Sequence, residues 1–147
     1  MSKEQLRQST AIAIDGRAIL LEGPPGIGKT TLALSLIDRG AQLIGDDGVL
    51  LSTEGGRLVA SPAPETAGLI EIRNVGIVHQ PCVSAPVALV LTLAKEAPRF
   101  VEKPRSVAIA GHDIPQLLFA RMNEADPIRA ERALAHHGLP AAERPDQ

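Results

Sequence analysis

The chain has no tryptophan, no tyrosine, two phenylalanines (Phe100 and Phe119) and a single cysteine, Cys82. Each scarcity removes a class of function. With so few rings there is no platform on which the bases of a single strand could stack. Lysine and arginine are scattered through a chain of net charge −2, so no basic stripe is offered to a nucleic-acid backbone. A lone cysteine cannot close an internal disulfide, which suits a reducing compartment. His79 and His112 lack a Cys or His companion at ligand spacing, which argues against zinc. No apolar run approaches the ~20 residues of a membrane span, and residues 1–8 are polar rather than leader-like. The expectation is a cytoplasmic protein with neither nucleic acid nor membrane as partner.

What is plentiful is aliphatic content. Hydrophobic residues make up 44% of 147 residues, enough for one buried core, so a single domain is expected over 1–147, with 1–8 and 139–147 as flexible tails. Inside this chain the stretch Gly23-Pro24-Pro25-Gly26-Ile27-Gly28-Lys29-Thr30 fits G-x-x-x-x-G-K-[ST] at every defined position, followed by Thr31. Its glycines can turn backbone N–H groups inward as a cradle for polyphosphate oxygens. Lys29 adds a mobile charge for the β- and γ-phosphates, and Thr30 a hydroxyl for Mg2+. The context agrees: the apolar run 18–21 reads as a buried strand before the loop, and residues 31–39 as a helix stopped by Gly40.

The remaining segments follow from local signals. Asp15-Gly16 joins strand 10–14 to the strand entering the loop, and Glu54-Gly55-Gly56 joins strands 49–52 and 57–60. Residues 41–45 read as a strand that delivers Asp46 and Asp47 at its end. In an extended stretch these two carboxylates point to opposite sides, one toward a metal and one toward an acceptor. The competing reading is a solvated Asp47-Gly48 turn. Residues 69–77 are an apolar stretch in which Glu71 and Arg73, two apart, share one face if it is a strand, as either a site pair or a surface ion pair. Residues 85–93 should be a central strand. Residues 106–110 and 114–119 form a strand pair in which Pro115 implies an edge. Asp126 reads as the N-cap of a helix over 128–137, with Pro127 in the first turn, Gly138 at the stop and His136 and His137 as helix-end residues.

The hairpin into GPPGIGKT, the helix ending in Asp38-Arg39-Gly40, the segment Gly45-Asp46-Asp47-Gly48-Val49, and Leu69-Ile70-Glu71-Ile72-Arg73 with Gly76-Ile77 together resemble the catalytic domain of the HPr kinase/phosphorylase family. The aspartate pair follows the loop lysine more closely than in GTPases or most ATPases, and no N-K-x-D stretch exists to read guanine. The resemblance is strongest over 10–77 and is to the abbreviated form of the family without its separate N-terminal domain. It implies an α/β fold, a mixed β-sheet domain of the PEP carboxykinase-like and HPr kinase-like P-loop type, with a P-loop helix and a C-terminal helix. It further implies a serine protein kinase that uses ATP and Mg2+ to phosphorylate the carrier protein HPr, regulates carbohydrate metabolism, and assembles as a hexamer.

By this resemblance Gly23 to Thr31 bind nucleotide, with Lys29 on phosphate. Asp47 is the general base, Asp46 supports the metal site with Thr30, Glu71 joins the metal shell and Arg73 the phosphate charge. Gln8 stands where the family carries a histidine, and Asn74 follows Arg73 where the family has glycine. Two other functions fit the same residues: a nucleotide-binding regulatory module that has lost phosphotransfer, and a small-molecule P-loop kinase.

Overall fold

A computed structural model describes residues 4–141. Its elements in chain order are β1 (Gln5–Arg7), β2 (Thr10–Ile14), β3 (Arg17–Glu22), α1 (Lys29–Asp38), β4 (Gln42–Gly45), β5 (Val49–Glu54), β6 (Arg57–Pro62), β7 (Leu69–Ile72), β8 (Gly76–His79), β9 (Ala85–Ala94), β10 (Arg105–Ile109), β11 (His112–Ala120) and α2 (Asp126–His137). Nine β-strands from β1-β5-β6-β9-β3-β2-β4 and the β10-β11 pair form one mixed sheet, and β7 and β8 form a separate hairpin.

Strand β9 is the junction, as its largely apolar sequence predicts. It pairs in parallel with β3 and with β11, and antiparallel with β6 at its first two residues. Parallel strands put their C-terminal ends at the same edge, so β3, β9 and β11 all finish near the loop that follows β3. Alternate residues of β3 feed two apolar clusters. Ala18 and Leu20 pack with Leu51, Leu58 and Val90, while Ile19 and Leu21 pack with Leu32 and Leu36 of α1 and Leu134 of α2. A period of two on a strand buried on both faces is the reason that 18–21 is apolar throughout. Among the described residues, no helix is long and apolar enough to cross a membrane.

Four expectations are corrected. Residues 5–7 are not part of a loose tail: they pair with β5, and Arg7 forms a two-pronged ion pair with Glu22 at the end of β3 (2.5 and 2.9 Å). Leu139 is likewise tied down, its N–H donating to Ala88 O at 2.9 Å; residues 1–3 and 142–147 of the expected tails lie outside the described residues. Residues 69–77 are not one strand but a tight hairpin, because Asn74 takes a left-handed φ of 69° and turns the chain back. Strand β11 is not an edge strand, since it lies between β10 and β9. Pro115 is tolerated because the pairing with β9 begins only at Gln116, leaving the first part of β11 bonded on one side.

The fourth concerns Asp126, which does not cap α2. The residue before the helix is Ala125, with no side-chain cap, and the Asp126 carboxylate turns back to the preceding segment, accepting from the N–H groups of Met122 and Asn123. Arg121 and Arg129 donate to the same carboxylate at 2.9 and 2.8 Å. Burial by itself would push this carboxyl up; the two guanidinium groups and the two backbone N–H groups outweigh it and hold the acid well below the usual carboxylate range.

Candidate active site

A cleft of about 660 Å³ opens where the C-terminal ends of the parallel strands meet the hairpin β7-β8. Its walls bring together residues 25–31, Asp46, Asp47, Glu71 and Arg73, joined by Gln8, Thr10 and Arg121. Helix α1 starts directly out of the loop, with Gly28 at φ 110° in a conformation that L side chains rarely adopt. No side chain caps this helix and no acid occupies its first turn, so its leading N–H groups have no acceptor within the helix and its positive end faces the cleft. Lys29 Nζ donates to Gly23 O at 2.6 Å, closing the loop on itself. The result is a cationic, N–H-lined concavity suited to a polyphosphate.

The two aspartates reach the cleft through a turn, not through an extended strand as expected. Strand β4 carries one extra residue against β2, since Ala11 pairs with Gly45 but Ile12 with Leu43; this bulge re-aims the chain just before Asp46. Asp47 then adopts φ 62°, and its N–H donates to Thr10 Oγ1 at 3.1 Å. Both carboxylates therefore line the same cleft. They are held differently. Asp46 Oδ1 accepts from Thr30 Oγ1 at 2.8 Å and from Thr10 Oγ1 at 3.3 Å, and Oδ2 accepts from the Glu71 N–H at 3.1 Å. The Asp47 carboxylate has no hydrogen bond among the described residues and is exposed.

The turn depends on Gly45. A Cβ there would collide with the backbone oxygen of Gly48 and lie 2.9 Å from Val49 Cγ1, and a backbone oxygen cannot swing aside as a side chain would. Gly45→Ala is expected to destabilise the fold by about 1–3 kcal/mol. Because the displaced segment carries both aspartates, the same variant should also weaken any activity that needs them. Urea unfolding, together with the transfer assay described below, checks both.

Glu71 and Arg73 line the cleft as the sequence reading supposed, but by another route: Glu71 is the last residue but one of β7 and Arg73 sits in the turn after it. Glu71 meets Asp46 through its backbone N–H. Among the described residues no three carboxylate, imidazole or thiol side chains cluster closely enough to hold a metal by themselves. The Thr30 hydroxyl beside the Asp46 carboxylate is nevertheless a donor set that fits Mg2+, which dehydrates reluctantly and takes one or two protein oxygens beside water and phosphate. Gln8, placed by the resemblance where the family carries a histidine near the catalytic aspartate, does line the cleft, whereas sequence reasoning missed Arg121 and Thr10. Only the parallel pairing of β11 with β9 brings Arg121 to the loop.

The model of the HPr serine kinase C-terminal domain family matches residues 1–82, more than half of the chain. The chain belongs to that family. The HPr kinase/phosphorylase of Clostridium tetani is 36% identical over 81 residues, 55% of this chain and 27% of the relative. That of Caldicellulosiruptor bescii is 32% identical over 143 residues, covering 88% of this chain and 44% of the relative. The chain thus spans less than half of the length of these curated relatives. A solved structure of the Hpr(Ser) kinase/phosphatase from Coxiella burnetii superposes with a TM-score of 0.75 at 29% identity, over 89% of this chain and 92% of that one. The mixed sheet with two helices is therefore an HPr kinase-like architecture beyond the matched 1–82 segment, and the family expectation drawn from the loop and the aspartate pair holds.

Proposed function

We propose that the chain is an ATP-dependent serine protein kinase of the HPr kinase/phosphorylase type, transferring the γ-phosphoryl of MgATP to a serine of an HPr-like carrier protein. The observation that carries this reading is the placement of a free carboxylate, Asp47, and a tethered one, Asp46, at one phosphate-binding loop. The loop N–H groups and Lys29 grip the phosphate chain. Thr30 and Asp46 would hold Mg2+, which would supply charge neutralisation to the phosphate chain. Asp47 accepts the proton of the serine hydroxyl as it attacks, and Arg73 stands at the rim where charge builds on the transferred group. Little covalent work falls to the protein, so rate comes from positioning and electrostatics. Phosphorolysis, the second activity in the name of the Clostridium tetani relative, would use the same groups in reverse: inorganic phosphate attacks the phosphoserine phosphorus, the serine O–P bond breaks with pyrophosphate as product, and Asp47 returns a proton to the serine oxygen.

Gln8 supports a second reading. It lines the cleft and cannot titrate, so a site that needs a proton carrier at that wall would bind nucleotide without transferring phosphate. One experiment separates the two: labelled γ-phosphate from MgATP is offered to purified HPr, with Lys29→Ala as control. Phosphoserine formed by the wild type and lost in the control is the expected result. Tight ATP binding with no transfer would displace the kinase reading in favour of the regulatory module and make Gln8→His the next protein to test.

A further inference from the structure

We propose that Arg121 is a second phosphate-binding cation of the cleft, set in place by the buried Asp126, and that it takes an oxygen of the nucleotide's phosphate chain alongside Lys29. The proposal rests on the nucleotide reading above and adds a residue to it. Arg121 follows β11 directly, at the edge of the sheet where the parallel strands β3, β9 and β11 end, the edge at which ligands of open α/β sheets bind. Its Nη1 donates to Gly28 O at 3.2 Å and fills the space beside that glycine, where a Cβ would collide with it. Its Nε is fixed on Asp126 Oδ2 at 2.9 Å, and Nη2 has no hydrogen bond among the described residues. The guanidinium is thus clamped on one side and open on the other.

Charge around Asp126 favours an anion as the missing partner. One carboxylate, 2% exposed, faces two guanidinium groups. Arg129 is committed elsewhere as well: it lies over the Phe119 ring at 4.2 Å from the centroid and donates to Ala120 O at 2.6 Å. With Arg129 balancing Asp126, the charge on Arg121 is left over, and it lies in the wall of the cleft beside the loop. An arginine that only braced Gly28 would need a donor and no net charge. A planar fork held by a buried acid is the arrangement suited to phosphate oxygens. Asp126 acts through Arg121 and is a positioning residue.

The test uses the whole chain and two probes, MgATP and inorganic tripolyphosphate, titrated over a range of salt. Arg121→Gln is expected to weaken tripolyphosphate by about tenfold or more, the scale of one charged hydrogen bond, and to flatten its salt dependence. Arg121→Lys should recover part of the loss, because it keeps the charge and loses the fork. In Asp126→Asn the Nε–H NMR signal of Arg121 should lose its slow solvent exchange, with binding weakened in step. Wild-type and Arg121→Gln proteins that bind tripolyphosphate alike would overturn the proposal, as would a weakening with unchanged salt dependence, the mark of a bracing role. Binding of neither probe by the wild type would overturn the nucleotide reading and this proposal with it. Binding of ATP by the wild type and by Arg121→Gln with equal affinity would overturn this proposal alone.

Discussion

Asp47→Asn is expected to lower phosphoryl transfer by about 10²–10⁴-fold, the range for loss of a general base, while leaving nucleotide affinity intact. The expectation follows from how differently the two aspartates are held. Asp46 accepts hydrogen bonds on both oxygens, from Thr10, Thr30 and the Glu71 backbone, so its substitution disturbs the loop, the hairpin and the nucleotide together. Among the described residues, Asp47 is anchored by its own backbone N–H alone, through Thr10. Its side chain is free to meet an incoming hydroxyl, and asparagine in its place keeps the turn because asparagine tolerates the same left-handed φ. Transfer rate and ATP affinity measured on Asp46→Asn, Asp47→Asn and Lys29→Ala should therefore separate: affinity falls with Lys29 and Asp46, and rate alone falls with Asp47. An Asp47→Asn protein that transfers phosphate at more than about a tenth of the wild-type rate would remove Asp47 from the chemistry.

The contrast between these residues also shows what the sequence could reveal. The phosphate-binding loop was legible because its spacing is fixed by the backbone geometry of one short segment, bounded by a strand and a helix that are readable from their own periods. The aspartate pair was legible as a pair but not in its geometry. Opposite faces follow from an extended chain, whereas the bulge in β4 and the positive φ of Asp47 are set by packing against β2. Strand β1 was hidden for another reason. Its three residues include Leu6, which is 72% exposed, so neither length nor alternation marks it; it is held by pairing with β5 and by Arg7 on Glu22. The hairpin at 73–75 was masked by apolar residues on both sides, its turn signalled only by Asn74 and Gly76, both at positive φ. Arg121 belongs to no motif. Its place in the cleft is a property of sheet order, which a single sequence does not display.

Asp126→Ala is expected to cost about 2–3 kcal/mol of stability at pH 7, less than the loss of a partner from a fully buried pair because the Arg121 and Arg129 side chains are 33% and 37% exposed. Arg129 cannot simply follow the vanished acid into water: Phe119 and Ala120 O hold it, and its Nε is already buried without a partner. Two backbone N–H groups, of Met122 and Asn123, lose their acceptor as well. The pH dependence has a definite sign. An acid held below its usual range in the folded state favours folding wherever it is ionised in both states, which is above about pH 4. That contribution fades as pH falls below this toward the lower folded value, because protonation then favours the unfolded chain. The stability gap between wild type and Asp126→Ala, read from urea unfolding at neutral and acid pH, should therefore be widest at pH 7 and close as the solution is acidified below about pH 4. A gap that stays constant through this range would mean that packing rather than charge holds the segment between β11 and α2. It would also remove the reason that Arg121 points where it does, for the same carboxylate that stabilises the turn is the one that aims the guanidinium at the loop.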